Sequence, residues 1–366
     1  MKTKTFLVTG GTGFVGSNIS RLLIKKKYNV KIFDNNSRGS ISKIKDFKNK
    51  VKFIKGDVRD KKALNKALKK TNAVVHLAYV NGTKIFYKEP IKILDIAVKG
   101  ILNVLECCIE NNIKELYLAS SSEVYQTPNK IPTDENETLK IPDIFNPRYS
   151  YGGGKILTEL MGVHYGKKYF KKLVIFRPHN VYGPNMGNEH VIPEFINRFK
   201  KLGNKRFNIL GSGEETRSFI YIDDFIDAFD LILKKGKHLN IYNIGTEEKI
   251  KINLLAHIIS KFFNKKISIN KKKIAKGSTK NRCPDITKIK KLGFKKKYKL
   301  YTRYNWCWPD IWEKFQDRFG IPKIRELYGA TEGVGALVNT HGRPGMVGRY
   351  MRGSLVIKCD QESGDP

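Results

Sequence analysis

Short apolar runs alternate with helix-length segments through the first half of the chain. The runs lie at 6–8, 30–33, 51–54, 73–77 and 115–118, and a polar or small residue follows each of them. A periodic apolar stretch from Ile91 to about Ile109 separates the last two runs. Buried strands with covering helices produce this rhythm, so the pattern predicts an α/β fold, a Rossmann-like doubly wound parallel sheet with its ligand site at the carboxyl ends of the strands.

The pattern changes after the apolar run at 174–176. Segments rich in Pro and Gly follow at 177–193 and 211–217, and they suit the walls of a smaller second lobe. We therefore expect a nucleotide-binding domain over 1–176, to which 218–245 returns. The smaller substrate lobe would comprise 177–217 and 246–300.

The net charge of +36 lies almost entirely in the first 300 residues of the 366. The last 66 residues hold nine Lys and Arg against eight acidic residues. A charge of this size can indicate a polyanionic partner, but the lysines are spread over nearly every predicted helix and turn. We interpret the charge as a general compositional bias and expect no nucleic-acid partner; a selected polyanion-binding surface is the alternative.

The cysteines and histidines give no sign of a disulfide framework or a metal site. Five Cys include no CxxC pair, and seven His lack metal-ligand spacing, so we expect reduced thiols and no metal. No apolar run approaches the roughly 18 residues that a membrane-spanning helix needs. A cytoplasmic protein without a membrane segment is the expectation.

The first candidate site is the glycine-rich segment Thr9–Gly16, directly after the first predicted strand. Glycines at 10, 13 and 16 allow a tight turn and let a pyrophosphate approach the N–H groups of the following helix. Asp34 ends the second predicted strand, where a carboxylate can bind an adenosine ribose. Because no Arg adjoins Asp34, the motif favours NAD over NADP.

The second candidate site is Tyr151 with Lys155, which would share one face of a helix. The spacing alone is unspecific, since the chain holds 17 Tyr and many Lys. A free Tyr has a pKa of about 10, so it acts as a base at neutral pH only where positive charge stabilises the phenolate. Lys155 and an oxidised nicotinamide could supply that charge. Hydroxyls at 120–122, after the fifth strand, could hold the substrate oxygen.

Together these motifs resemble the extended short-chain dehydrogenase/reductases, specifically the nucleotide-sugar epimerase/dehydratase/decarboxylase group. The resemblance covers residues 1 to about 300 and rests, in order, on Thr9–Gly16, Asp34, Gly56–Val58, His76–Ala78, Ser120–Tyr125, Tyr151 with Lys155, Arg177–Pro184, Thr216–Asp224 and Arg282–Ile286. It implies NAD as cofactor, a nucleotide-diphosphate sugar such as a UDP-sugar as substrate, and a homodimer.

The resemblance also implies roles for individual residues. The catalytic set would be Tyr151, Lys155, Ser121, Ser122 and Glu123. Asn180, Arg217 and Arg282 would bind the sugar nucleotide, with the arginines on its diphosphate. NAD would be bound by Gly10, Gly13, Phe14, Val15, Gly16, Asp34, Asp57, Val58, Leu77, Ala78, Tyr151 and Lys155.

Members of this group begin by oxidising a sugar carbon, commonly C4, and differ in the later steps of the reaction. Dehydratases carry an Asp-Glu pair where this chain has Ser122 and Glu123, so the elimination acid is missing. The Ser-Glu pair resembles UDP-glucuronate decarboxylases, in which Glu123 would shuttle protons and Arg217 would steer a carboxylate. We expect a 4-epimerase-type isomerase, with a decarboxylase as first alternative and a non-catalytic nucleotide- or RNA-binding protein of this fold as second.

Two features depart from the pattern of the group. Many relatives carry Asn at the position of Ala97, in the helix after the fourth strand. Glycines at 152–154 form a run inside a predicted helix, where each Gly costs about 1 kcal/mol relative to Ala. We expect the run to let a bulky sugar or cofactor approach the backbone.

The tail has a different resemblance. Residues 308–320 predict an amphipathic helix, and the segments 328–333 and 342–345 resemble adenylate-forming acyl-CoA synthetases of the fatty-acid transport type. The fragment over 305–366 lacks the phosphate loop, the ribose-binding Asp and the catalytic Lys of such ligases. We therefore expect it to be non-functional and to come from a fusion or an artefact of sequence assembly.

Overall fold

The computed structural model describes residues 3–201, 206–263, 265–274 and 276–298, and three short tail strands. The described strands are β1 (Thr5–Thr9), β2 (Asn29–Asp34), β3 (Val51–Lys55), β4 (Ala73–His76), β5 (Glu115–Ala119), β6 (Lys172–Pro178), β7 (Val181–Tyr182), β8 (Phe207–Leu210), β9 (Thr216–Ser218), β10 (Ile220–Tyr221), β11 (Ile241–Ile244), β12 (Lys249–Lys251), β13 (Ile269–Lys272), β14 (Asn281–Arg282), β15 (Leu327–Gly329), β16 (Ala336–Val338) and β17 (Arg349–Tyr350). The described helices are α1 (Phe14–Lys25), α2 (Lys61–Leu68), α3 (Thr83–Lys88), α4 (Pro90–Glu110), α5 (Tyr149–Tyr169), α6 (Val191–Lys201), α7 (Ile222–Lys235), α8 (Ile252–Phe262) and α9 (Thr287–Lys291), with 3₁₀ turns at Ile41–Lys50 and Ser122–Val124.

Seven strands in the described part of the chain form one parallel sheet in the order β11-β6-β5-β4-β1-β2-β3. Along β1, Phe6 and Val8 enter the core on one face, and Leu7 enters the core on the other. Because both faces are covered, such strands are apolar throughout. The predicted doubly wound α/β sheet is confirmed.

Helices cover the two faces in separate layers. Side chains of α1 and α7, such as Leu23 and Phe229, join the core on the Phe6 face. Side chains of α2 and α4, such as Leu64 and Val104, join the core on the Leu7 face, where α5 packs beside α4. None of the described helices is long and apolar enough to cross a membrane.

The strand order reverses between β1 and β4, which are neighbours although β2 and β3 intervene in sequence. At such a switch point the connections leave in opposite directions and open a crevice outside the carboxyl ends of the strands. The segments that follow β1, β4, β5 and β6 therefore meet at one edge of the sheet. These segments contain most of the residues expected to form the site.

A small three-stranded sheet beside this edge places two arginines together. β9 lies between β12 and β14, and it pairs with β14 in parallel. The register sets Arg217 opposite Arg282, although 65 positions separate them in sequence. Lys249–Lys251 completes the sheet in antiparallel orientation.

The tail contributes only β15, β16 and β17, an antiparallel three-stranded sheet, to the described structure. The helix expected at 308–320 lies outside the described residues. So do 330–333 and 342–345 of the two segments that were expected to resemble acyl-CoA synthetases.

A buried ion pair joins α5 to the sheet. Arg177 at the end of β6 donates two hydrogen bonds to the Glu159 carboxylate, from Nε at 2.8 Å and from Nη2 at 2.6 Å. Both side chains are almost fully buried. Ser120 donates to the same carboxylate, and Arg177 Nη1 donates to Tyr125 Oη at 2.7 Å. The pair therefore aligns α5 with the carboxyl ends of β5 and β6.

We predict that Glu159→Gln lowers the free energy of unfolding by about 3–5 kcal/mol, because it leaves the Arg177 guanidinium buried without its counter-charge. Urea denaturation measures the change. The control is Asp46→Asn, which breaks an exposed ion pair with Arg21 and should cost no more than about 1 kcal/mol. Equal losses in the two variants would contradict the prediction.

Candidate active site

A cavity of about 660 Å³ opens at the carboxyl ends of the sheet strands, next to the small sheet that carries the two arginines. Every site residue expected from the sequence lines it: Gly10, Gly13, Phe14, Val15, Gly16, Asp34, Asp57, Val58, Leu77, Ala78, Ser121, Ser122, Glu123, Tyr151, Lys155, Asn180, Arg217 and Arg282. These residues come from segments far apart in sequence. The fold brings all of them to one place.

The glycine loop between β1 and α1 is packed so closely that Gly10 and Gly16 cannot carry side chains. Gly10 has a φ of +71°, and a Cβ there would lie 2.8 Å from the backbone nitrogen of Ala78. A Cβ on Gly16 would lie 2.1 Å from the Gly10 carbonyl oxygen. α1 begins at Phe14 with no side chain capping its first N–H groups. The loop thus forms a cradle of backbone donors that fits the pyrophosphate of a dinucleotide.

Asp34 is held at the cavity wall by backbone groups. Its carboxylate accepts hydrogen bonds from the Thr12 nitrogen at 3.0 Å and the Asn36 nitrogen at 2.8 Å. Arg38 also lines the cavity, but its guanidinium pairs with Glu189 at 2.8 Å and donates to a backbone carbonyl. An acceptor at this position fits the hydroxyls of a ribose better than a ribose phosphate.

Asp57 stands at the next strand end in an ion pair with Arg59, at 2.9 Å. Hydrogen bonds from the Arg59 side chain are the main cause that lowers the pKa of Asp57 to about 2. Val58 beside it is buried and packs against Gly100 of α4. This end of the cavity therefore combines an apolar wall with a fixed carboxylate.

Tyr151 and Lys155 lie on the buried side of α5. The Tyr151 ring stacks on Phe86, with 4.9 Å between centroids. Burial raises the pKa of Tyr151, and hydrogen bonding with Ser121 acts in the opposite direction. Lys155 Nζ donates to the Ala119 carbonyl at 2.7 Å, and burial lowers the pKa of Lys155 to about 7.

Ser121 begins the 3₁₀ turn that positions the next two residues. Its Oγ accepts a hydrogen bond from the Glu123 nitrogen at 3.2 Å. The Glu123 carboxylate lies 2.8 Å from Arg282 Nη1 and 3.7 Å from Arg148 Nη2. Burial alone would raise the pKa of Glu123, but these two arginines lower it to about 2. Glu123 is therefore an anion at neutral pH and has no proton to donate.

The arginines around Glu123 outnumber the carboxylate. Arg217 donates to the carbonyls of Thr216 and Thr279, each at 2.8 Å, and the structure records no ion pair for it among the described residues. Burial, reinforced by the nearby Arg282, lowers the pKa of Arg217 to about 10. Nε of Arg148 and Nε of Arg282 are buried without a partner in the described structure. Forked donors with excess positive charge suit a phosphate or carboxylate ligand.

Asn180 lies on the same side of the cavity. Its Nδ2 donates to the Ser218 carbonyl at 2.9 Å, which ties it to the strand that bears Arg217. Its backbone has a φ of +41°, a conformation that Asn tolerates better than most residues. Its position beside the small sheet is therefore well defined.

Sequence reasoning missed three residues of this cavity. Arg148 stands three positions before Tyr151, and that spacing could have placed it on the Tyr151 face of the helix. Tyr79 and Phe86 pack against Tyr151 from the segment after β4. For these two rings no sequence signal was available: Phe86 is brought in by the packing of α3 on α5, and Tyr79 by the segment between β4 and α3.

The expectation for the glycine run at 152–154 was wrong. A Cβ on Gly152 would lie 2.4 Å from Gln126 Nε2 and 2.9 Å from the Glu123 carbonyl oxygen. A Cβ on Gly154 would lie 2.1 Å from Tyr79 Oη and 2.6 Å from Ala97 Cβ. Protein atoms, not a ligand, occupy the space beside these two glycines.

Comparison with known proteins agrees with this geometry. The model of the NAD dependent epimerase/dehydratase family matches residues 6–245. The dTDP-D-glucose 4,6-dehydratase of Dictyostelium discoideum is 34% identical over 67% of this chain, which spans 58% of that protein. The UDP-N-acetyl-alpha-D-glucosaminuronate decarboxylase of Bacillus cytotoxicus is 28% identical over 79% of this chain and 91% of its own length.

A solved structure extends the comparison to the third reaction of the group. The UDP-glucose 4-epimerase of Thermotoga maritima, solved with UDP-glucose, superposes with a TM-score of 0.73 and 28% identity, covering 81% of this chain and 94% of that one. Relatives therefore include a dehydratase, a decarboxylase and an epimerase. The chain belongs to the NAD dependent epimerase/dehydratase family of enzymes.

Proposed function

We propose that this protein is a nucleotide-sugar 4-epimerase that acts on a UDP-sugar with NAD as cofactor. The state of Glu123 is the observation that carries the choice of reaction. A dehydratase needs an acid beside the catalytic hydroxyl to protonate its leaving group. Here Ser122 offers only a hydroxyl, and Glu123 is held as an anion by Arg282 and Arg148. Reversible oxidation needs no such acid.

The cofactor would lie along the glycine loop and the ends of β2 to β5. Asp34 would accept hydrogen bonds from the adenosine ribose, and Asp57 and Val58 would contact adenine. When bound, NAD supplies the acceptor for hydride from the sugar carbon and the donor for its return. The residues proposed to hold it are Gly10, Gly13, Phe14, Val15, Gly16, Asp34, Asp57, Val58, Leu77, Ala78, Tyr151 and Lys155.

Proton transfer would fall to three side chains. Tyr151 Oη takes the proton of the sugar C4 hydroxyl as hydride leaves C4, and a C=O bond forms. Ser121 Oγ donates a hydrogen bond to that oxygen. Lys155, as an ammonium, lowers the free energy of the Tyr151 phenolate, which burial alone disfavours. The proton returns to the same oxygen after the sugar has presented its other face to the hydride donor.

The substrate would be held mainly by its charge. Arg217 and Arg282 would bind the diphosphate, and Arg148 adds a third guanidinium to the same wall. Asn180 would contact the sugar nucleotide beside them. Asn180, Arg217 and Arg282 fall in the substrate lobe proposed over 177–217 and 246–300, whereas Arg148 comes from the cofactor domain proposed over 1–176 and 218–245.

Decarboxylation of UDP-glucuronate is the second candidate, and the arginine wall favours it. A cluster with three guanidinium groups and one carboxylate can also accept the carboxylate of a uronic acid. Loss of carbon dioxide from an oxidised sugar acid needs no elimination acid. The two reactions therefore differ in substrate more than in the residues present.

We also propose a homodimer through α4 and α5. Ile91, Leu94 and Val98 recur at helical spacing on α4 and are 82%, 45% and 46% exposed. Leu160 on the adjacent α5 is 56% exposed. A stripe of apolar side chains on two packed helices is the kind of surface that a second copy covers.

We predict that the wild-type protein with NAD interconverts a UDP-sugar and its C4 epimer, and that Tyr151→Phe lowers kcat by about 10²–10⁴-fold because it removes the proton acceptor. Mass spectrometry and NMR of products from a panel of UDP- and dTDP-sugars, including UDP-glucuronate, measure the outcome. Tyr149→Phe, on the same helix, should keep most of the activity. Release of carbon dioxide from UDP-glucuronate without epimerisation would establish the decarboxylase instead. If the protein turns over none of the sugars, the non-catalytic binding protein is the remaining alternative.

We predict that Gly16→Ala weakens NAD binding at least about tenfold, or 1.4 kcal/mol, because its Cβ would overlap the Gly10 carbonyl and displace the loop. Calorimetric titration with NAD gives both affinities. The matched control is Gly187→Ala, since Gly187 lines the same cavity and a Cβ added there would meet no atom within 4 Å. The NAD affinity of Gly187→Ala should stay within about twofold of the wild-type affinity. A loss of about tenfold in this control as well would contradict the proposal that the glycine loop binds NAD.

We predict that Leu94→Glu raises the dimer dissociation constant at least about tenfold, because an unpaired carboxylate would be buried at the interface. Sedimentation equilibrium measures the constant. Leu254→Glu changes an equally exposed leucine, at 44%, on α8 and should leave the dimer intact. A monomeric wild-type protein would refute the proposal.

A further inference from the structure

Tyr79 is a cavity residue that links the two members of the Tyr151–Lys155 pair. The Lys155 ammonium lies over the face of the Tyr79 ring, 4.0 Å from its centroid, while it lies 6.0 Å from the Tyr151 centroid. The edge contact between the Tyr79 and Tyr151 rings has a centroid distance of 5.2 Å and an interplanar angle of 90°. Tyr79 thus contacts both side chains at once.

The position of the Tyr79 ring depends on two small residues. A Cβ on Gly154 would lie 2.1 Å from Tyr79 Oη and 2.6 Å from Ala97 Cβ. Any side chain at 154, or a larger one at 97, would therefore compete with the phenol for this space. The glycine in α5 and the alanine in α4 together leave the room that Tyr79 fills.

The Tyr79 hydroxyl itself has no role that the contacts reveal. It is buried and has no hydrogen-bond partner in the described structure. The ring, not the oxygen, makes the contacts with Lys155 and Tyr151. A variant that keeps the ring and removes the oxygen should therefore preserve whatever Tyr79 does.

We propose that Tyr79 is a positioning residue that holds the Lys155 ammonium by a cation–π contact and so keeps it charged beside Tyr151. The inference rests on the proposed roles of Tyr151 and Lys155. A desolvated cation over an aromatic face is stabilised strongly, because the ring replaces part of the lost hydration. The Ala119 carbonyl accepts one further hydrogen bond from the ammonium.

The other titratable groups around Lys155 do little to stabilise its ammonium, so the contact with the Tyr79 ring matters. Burial lowers the pKa of Lys155 to about 7, and Glu159 on the same helix acts against that decrease. Glu159 is already bound to Arg177 and Ser120. His76 at the end of β4 is neutral, since burial lowers its pKa to about 3. Loss of the Tyr79 ring would lower the pKa of Lys155 further, and less ammonium would remain at neutral pH.

The test compares Tyr79→Leu with Tyr79→Phe. Competitive labelling of the purified protein with acetic anhydride from pH 5 to 10, read by mass spectrometry on the Lys155 peptide, gives the pKa of Lys155 without any need for turnover. We expect the midpoint to fall by about one pH unit in Tyr79→Leu and to stay unchanged in Tyr79→Phe. The high-pH limb of the kcat/KM profile should move down by the same amount, because activity is lost as the ammonium deprotonates.

Unchanged midpoints in both variants would overturn the inference, and so would equal shifts in both. If Tyr79→Leu does not fold by circular dichroism, Tyr79→Met replaces it, since the flexible thioether fills irregular space. Two further measurements separate the proposals. Absence of epimerisation in the wild-type protein would refute the proposed function, and retained epimerisation in Lys155→Met would refute the proposed role of Lys155. The labelling midpoint decides the role of Tyr79 independently of both.

Discussion

The buried pair between Glu159 and Arg177 is the contact on which the geometry of the site depends. Arg177 ends β6, Glu159 lies on α5, and Ser120 follows β5, so one carboxylate joins three elements. Tyr151 and Lys155 stand one to two turns before Glu159 on the same helix. Their positions relative to the hydroxyls at 120–122 follow from this pair. Because both charges are buried, neither partner can be lost without leaving the other uncompensated.

Charge is distributed very differently over the surface and in the cavity. The net charge of +36 comes from lysines throughout the first 300 residues, and some of them, such as Lys99 and Lys234, form exposed ion pairs. In the cavity, three arginines surround one carboxylate, and their guanidinium groups are fixed by backbone carbonyls and by Glu123. Fixed cations with buried unpaired N–H groups suit a specific anion better than mobile surface lysines do. The functional part of the charge is therefore small and local.

The fold and the strand-end residues of the cavity could be predicted from the sequence because both follow from local patterns. Asn180, Arg217 and Arg282 were expected only from the family resemblance. The apolar run at 6–8 and the glycines after it require a strand, a tight turn and a helix in that order. Parallel strands then bring the residues at their carboxyl ends to one edge, as Asp34 and Ser121 illustrate. The glycine run at 152–154 was misread, because the atoms beside Gly154 belong to Tyr79 and Ala97, which lie more than 50 positions away.

The sequence by itself determined the doubly wound sheet, the cofactor loop and the placement of Tyr151 and Lys155 on one helical face, since each depends on residues within a few positions of one another. The tertiary structure alone decided which groups are charged and what each touches. Glu123 is an anion because Arg148 and Arg282 approach it from two other segments, and Lys155 meets Tyr79 because α5 packs beside the end of β4. Ionisation and contact depend on long-range packing, which no local pattern specifies.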